Sequence, residues 1–151
     1  MTAEFAADEM LASTRFGTIA YRTEAVLSFP NGLPGFPAAR RFVCAPLPGA
    51  AGAFQLLHAL DGEPVDLIVL PLESLGERVA AEDLERARAE LEIATADLLV
   101  LCVVTLPARG SGAVPRVNLR APIFVDVARR VGAQTVLANT TYPFRETLRA
   151  A

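Results

Sequence analysis

The chain has 151 residues, enough for one domain with a full apolar core and no disulfide staples. It is 52% hydrophobic and 21% charged, with a formal net charge of −3 and no tryptophan. That balance speaks against a nucleic-acid binder, which carries a basic footprint, although all 14 of its basic side chains are arginines.

In chain order, Met1 to Ser13 carries Glu4, Asp8 and Glu9 and lacks both a basic start and a long apolar stretch. It does not read as a secretory signal. A mobile extension over 1–13 and a single domain over 14–151 are expected, in a soluble cytoplasmic protein. Phe16 to Tyr21 alternates apolar and polar residues, and Ala25 to Phe29 follows after the polar turn Arg22-Thr23-Glu24. This spacing predicts a hairpin. The passage Phe29-Pro30-Asn31-Gly32-Leu33-Pro34-Gly35-Phe36 then breaks the pattern. Its glycines can take positive φ, and its prolines fix φ and remove a donor.

Arg41 to Cys44 reads as the next strand, followed by a loose loop from Pro46 to Ala53. Phe54 to His58 and Val65 to Leu70 flank the turn Asp61-Gly62-Glu63-Pro64 and predict a second hairpin, closed by Pro71. Ala81 to Ala94 is the one helix. Leu84, Ala87 and Leu91 fall at helical spacing, and Glu82 stands four residues before Arg86. The remaining positions are mostly charged, so the helix lies on the surface. Asp97 to Leu106 is apolar almost throughout, the mark of a strand covered on both faces, and is about half the length of a membrane span. After Arg109-Gly110-Ser111-Gly112, three strand-like runs close the chain: Pro115 to Leu119, Ile123 to Val127 and Ala133 to Ala138. Roughly eight short strands and one helix, not alternating, predict a mainly β (α+β) protein. The expected architecture is a small barrel-like antiparallel β fold with one surface helix.

The residues offer little chemistry. His58 is the sole histidine, and with Cys44 and Cys102 it lacks the paired local spacing of a structural zinc site. The two cysteines lie in apolar runs and read as buried free thiols. No serine sits in a nucleophile elbow, no glycine-rich loop leads from a strand into a helix, and Glu82/Asp83 read as solvated charges. Asn139-Thr140-Thr141 matches a glycosylation acceptor that is idle without a secretory route. No catalytic residue, cofactor or metal is expected.

The order of motifs resembles the flagellar assembly factor FliW family. The resemblance rests on Thr14-Arg15-Phe16-Gly17-Thr18-Ile19, the passage Phe29 to Phe36, and Arg41-Phe42-Val43. It continues through Val103-Val104-Thr105-Leu106-Pro107, Val117-Asn118-Leu119-Arg120-Ala121-Pro122-Ile123, and Val136-Leu137-Ala138-Asn139 with Tyr142-Pro143-Phe144-Arg145. It implies a barrel-like β fold and a non-enzymatic, monomeric regulator. Proteins like this bind newly made flagellin and the translational repressor CsrA, relieving the block on flagellin messenger RNA. Leu70 departs from the family pattern by replacing an acidic residue, and the stretch after Pro71 lacks the aromatics often found there.

Three groups are candidates for partner contact. Asn118, Arg120 and Pro122 surround a break between two late strands, where Arg120 either offers a planar fork to a carboxylate or backbone carbonyl or packs its stem along the sheet edge. Tyr142, Phe144 and Arg145 form either an interface anchor or a tail folded back on the barrel. Asp61, Glu63 and Asp66 make a hairpin turn acidic, with Glu73 and Glu77 nearby, suited either to a basic repressor or to solubility alone. Gly32, Pro34, Gly35 and Phe36 read mainly as determinants of the fold. The alternative reading from another class is a small split-barrel ligand carrier or flavin-binding oxidoreductase, since barrel mouths often hold ligands. Only scattered arginines are available to anchor a phosphate.

Overall fold

The computed structural model describes residues 9–50 and 52–148. The chain opens with a two-stranded antiparallel ribbon, β1 (Glu9–Thr14) and β2 (Gly17–Arg22). This corrects two expectations. Residues 9–13 are half of a hairpin and not an extension, while residues 1–8 lie outside the described residues. The partner of β2 is β1 and not the stretch after it, because a 3-10 turn over Thr23–Ala25 carries the chain away to β3 (Leu27–Ser28).

The second sheet contains β3, β4 (Arg41–Pro46), β5 (Gln55–Ala59), β6 (Asp66–Pro71), β7 (Leu98–Thr105), β8 (Arg116–Val117), β9 (Ile123–Asp126), β10 (Val131–Gln134) and β11 (Glu146–Thr147). The order β7-β6-β5-β4-β3-β10-β9 returns to β7, so seven strands close a barrel, and β8 and β11 extend from it. All pairings are antiparallel except the single contact of β3 with β10. The β5–β6 hairpin forms where the sequence places it. The last run starts two residues earlier than read, at Val131.

β7 explains the Val117–Ile123 motif. β8 and β9 lie along the same edge of this long strand, with Val104 opposite Val117 and Leu101 opposite Ile123. Three steps along β7 are therefore matched by six steps from Val117 to Ile123. The surplus residues must leave the ladder, and Asn118 to Pro122 form that break.

The one helix among the described residues, α1, runs over Ala81–Glu90, shorter than the periodicity suggests. Glu92 takes φ of 58°, Ile93 N–H returns to the Arg88 carbonyl at 3.2 Å, and the helix stops in a left-handed C-terminal turn. Its intrahelical ion pair joins Glu85 to Arg88; the Glu82–Arg86 pair does not form.

Alternating strand residues sort into two apolar clusters on opposite faces of the wall. One holds Val43, Leu56, Ile68, Leu70, Cys102 and Phe124, and is covered by α1 and the β1–β2 ribbon through Ala87, Ile93 and Ile19. The other holds Phe29, Phe42, Leu57, Val69, Leu101, Ile123 and Val125. In it, the Phe29 and Phe42 rings meet edge to face at 4.9 Å. Both thiols are free. Cys102 is buried and Cys44 half-buried, and burial pushes them up to about 12 and about 11.

Two glycines are obligatory. Gly32, at φ 65°, has the Phe36 carbonyl oxygen 2.5 Å from where a Cβ would stand, and Gly62, at φ 64°, has that of Ala38 at 2.2 Å. The first approach closes the Phe29–Phe36 loop on itself, and the second sets the β5–β6 turn against the segment that follows that loop.

Candidate functional site

Two of the three candidate groups converge. Leu119 N–H donates to the Pro143 carbonyl at 3.1 Å, so the chain returns alongside the break between β8 and β9. Asn118 shapes that break: its Oδ1 accepts from the main-chain N–H of Arg120 at 3.0 Å and of Ala121 at 2.9 Å. The Asn118 oxygen is thereby occupied by two main-chain donors. Pro122 is buried, with its carbonyl accepting from Thr135, so it belongs to the fold as well.

Arg120 is half-buried, and its guanidinium turns to backbone carbonyls of its own chain. Its Nε donates to the Leu137 carbonyl at 3.1 Å and its Nη1 to the Thr140 carbonyl at 3.4 Å. The guanidinium lies 5.2 Å from the centre of the Phe144 ring. A cation stacked this way holds the aromatic in place. Phe144 itself is 52% exposed, and Arg145 beside it is exposed too.

Tyr142 turns the other way, to α1. Ala80, at the head of the helix, has no side-chain cap of its own. The Tyr142 hydroxyl supplies one from a distance, accepting from Ala80 N–H at 2.8 Å and donating to Asp83 Oδ2 at 2.5 Å. Asn139 Nδ2 donates to the same carboxylate oxygen at 3.2 Å, and its Oδ1 accepts from Thr141. The hydrogen bond from Tyr142, then that from Asn139, holds the Asp83 carboxyl below its ordinary value, and the same bond raises the Tyr142 phenol. Asp83 is thus an anchor and not the solvated charge its sequence context suggests. Asn139 finds its role here as well.

Below Tyr142 lies a groove of about 790 Å³ that the sequence does not reveal. Leu72, Leu84, Leu98 and Val100 give it an apolar floor, and Glu73 and Glu77 stand at its lip. Tyr142 lines this groove, and Phe144, stacked with Arg120, follows two residues later in the chain.

The acidic turn is elsewhere and is mostly consumed by the fold. Asp61 Oδ1 accepts from the main-chain N–H of Arg40 at 2.8 Å and of Arg41 at 2.9 Å. Asp66 Oδ2 accepts from Arg15 N–H at 3.0 Å, holding the β1–β2 turn, while its Oδ1 sits 2.5 Å from His58 Nδ1. Both carboxylates are thereby engaged within the fold. Glu63 alone of the three is exposed with no recorded bond. No group of three or more His, Cys, Asp or Glu among the described residues is arranged to hold a metal ion, and no described helix is long and apolar enough to cross a membrane.

The comparisons agree with this architecture. A family model described as FliW protein matches residues 10–148. The chain is 34% identical over 143 residues to the flagellar assembly factor FliW of Thermotoga maritima, covering 92% of this chain and 93% of that protein. Over 141 residues it is 36% identical to the flagellar assembly factor FliW of Moorella thermoacetica, covering 90% and 85%. A crystal structure of the flagellar assembly factor FliW superposes with a TM-score of 0.75 at 22% identity, over 93% of this chain and 98% of that one, which establishes the shared fold.

Proposed function

Because the chain belongs to the FliW family of flagellar assembly factors, we propose that it works by holding other proteins and not by catalysis. It binds newly made flagellin in the cytoplasm. When flagellin is exported, the freed protein captures a CsrA-type translational repressor and relieves the block on flagellin messenger RNA. The observation that carries this reading is the family match across residues 10–148, nearly the whole described domain.

The surface around Tyr142 supports a protein-binding role. Phe144 is exposed and stiffened by Arg120, and Tyr142 lines the apolar groove. Aromatic and arginine side chains dominate interface hot spots, and an aromatic already held in place loses little freedom on binding. Glu63, Glu73 and Glu77 remain exposed for steering a basic repressor. Asp61 and Asp66 already hold main-chain N–H groups of the fold, so reversing them would remove those bonds as well.

The test is calorimetric titration and gel filtration of the pure protein with flagellin and with CsrA. One-to-one complexes with each partner are expected. Binding to neither at tens of micromolar (about −6 kcal/mol or weaker) removes the reading.

A further inference from the structure

The barrel wall has a gap where β3 leaves β10. Ser28 N–H donates to the Arg130 carbonyl at 2.8 Å, and Ser28 opposite Val131 is the only register pair between the two strands. The next carbonyl on that edge of β10 belongs to Gly132. The residue due to meet it is Pro30, which has no N–H to give. The chain then swings away through Pro37.

The pattern of bonds along β10 shows what is left open. Thr135 N–H donates to the Pro122 carbonyl at 3.0 Å and Leu137 N–H to the Arg120 carbonyl at 2.7 Å. Odd-numbered residues therefore face the β9 side. By the alternation of an antiparallel ladder, Gly132 and Gln134 direct their main-chain groups to the opposite edge. There the Gly132 carbonyl and the N–H and carbonyl of Gln134 have no main-chain partner among the described residues. They face a cleft of about 540 Å³, with Pro30, Leu33 and Pro34 on one wall and Val131 to Gln134 on the other. Gly132 is fixed there by packing, because a Cβ would stand 2.5 Å from the Phe29 ring.

The lining of the cleft carries no charged side chain, but arginines stand beside it. Arg40, which is exposed, leans on the loop through a 3.3 Å bond from Nε to the carbonyl of Pro37, itself part of the lining. Arg130 immediately precedes β10 and donates from Nη1 to the Glu24 carbonyl.

We propose that this edge receives an extended, acidic segment of a partner protein. The segment lies along β10 as an added strand, satisfies Gln134, and sets carboxylates against Arg40 and Arg130. Strand addition draws its affinity from such main-chain bonds. The site is separate from the Tyr142 face and does not depend on the flagellar reading.

The test uses isotope-labelled full-length protein and a short synthetic peptide alternating valine with threonine, with an aspartate at each end. A version with lysine ends is the comparison. The aspartate peptide should saturate below about 1 mM and slow exchange of the Gln134 amide, leaving that of Thr135 unchanged. Gln134→Pro should abolish saturable binding of the peptide. Arg40→Glu, which leaves the β10 edge intact, should weaken the aspartate peptide about fivefold or more and carries the test if the proline variant does not fold. No protection of Gln134 at millimolar peptide overturns the proposal, as does equal binding of the lysine peptide. Protection that rises with protein concentration alone would place a second copy in the cleft and overturns it too.

Discussion

The Phe29–Phe36 loop and the Tyr142–Arg145 segment share a composition of aromatics and proline, yet they are held by different physics. Phe29 is fully buried against Phe42, Leu33 is 3% exposed, and Gly32 sits where no side chain fits. The loop is held by apolar packing and by backbone contacts that tolerate one residue type. Phe144 is 52% exposed, and its neighbours are fixed by single polar bonds: Arg120 to two carbonyls, Tyr142 to Ala80 and Asp83. Packing of the first kind fails as a whole when it fails. Polar stitching of the second kind leaves a surface whose parts can be altered one at a time. The same aromatic content thus builds the scaffold in one place and an exposed surface in the other.

Three substitutions and one reactivity measurement break or sharpen this contrast. Phe29→Ala empties the centre of a cluster whose main members are fully buried. It should cost about 3–5 kcal/mol in urea unfolding and abolish every binding activity together. Gly32→Ala forces a Cβ to within 2.5 Å of the Phe36 carbonyl oxygen at φ 65°, and a loss of about 1–3 kcal/mol in the same assay is expected. Tyr142→Phe removes only the distant helix cap. About 1 kcal/mol is expected, with the barrel intact by near-ultraviolet circular dichroism.

That third variant also has a pH signature. The lowered Asp83 carboxyl stabilises the fold above its ordinary value of 3.8 and loses that contribution as pH falls through the lowered one. The raised Tyr142 phenol contributes below its ordinary value of 10.0 and loses that contribution as pH rises through the raised one. Melting temperature against pH should therefore fall less steeply at both ends in Tyr142→Phe than in the parent protein. The smallest effect concerns the thiols. With Cys44 and Cys102 raised to about 11 and about 12 by burial, native protein should react with a thiol reagent at neutral pH far more slowly than protein in denaturant.

Much of the barrel is legible in the sequence because β-branched runs and turn residues mark it locally. The Asp61-Gly62 turn sits between two runs that pair as read, and Gly62 proves to be required by its approach to Ala38. Pairings set by distant partners are not legible. β1 carries Glu9 and an exposed Met10 and Leu11, so its pattern does not announce a strand, and β3 is two residues long. The parallel contact of β3 with β10 joins positions about a hundred residues apart, beyond the reach of any periodicity. The site divides in the same way. Phe144 and Arg145 are exposed as a local reading suggests, whereas the roles of Asp83 and Tyr142 depend on a bond across 59 positions. The acidic turn shows the opposite case. Its charge is plain in the sequence, but Asp61 and Asp66 spend it on main-chain N–H groups and His58.

The measurement that bears most directly on the account is calorimetric titration of flagellin into the parent protein and into the double variant Arg120→Ala/Phe144→Ala, with melting curves taken alongside. A complex with the parent, weakened about tenfold or more by the double variant while the fold survives, is the predicted result. Undiminished affinity in a folded double variant, or no complex with the parent at all, would contradict it.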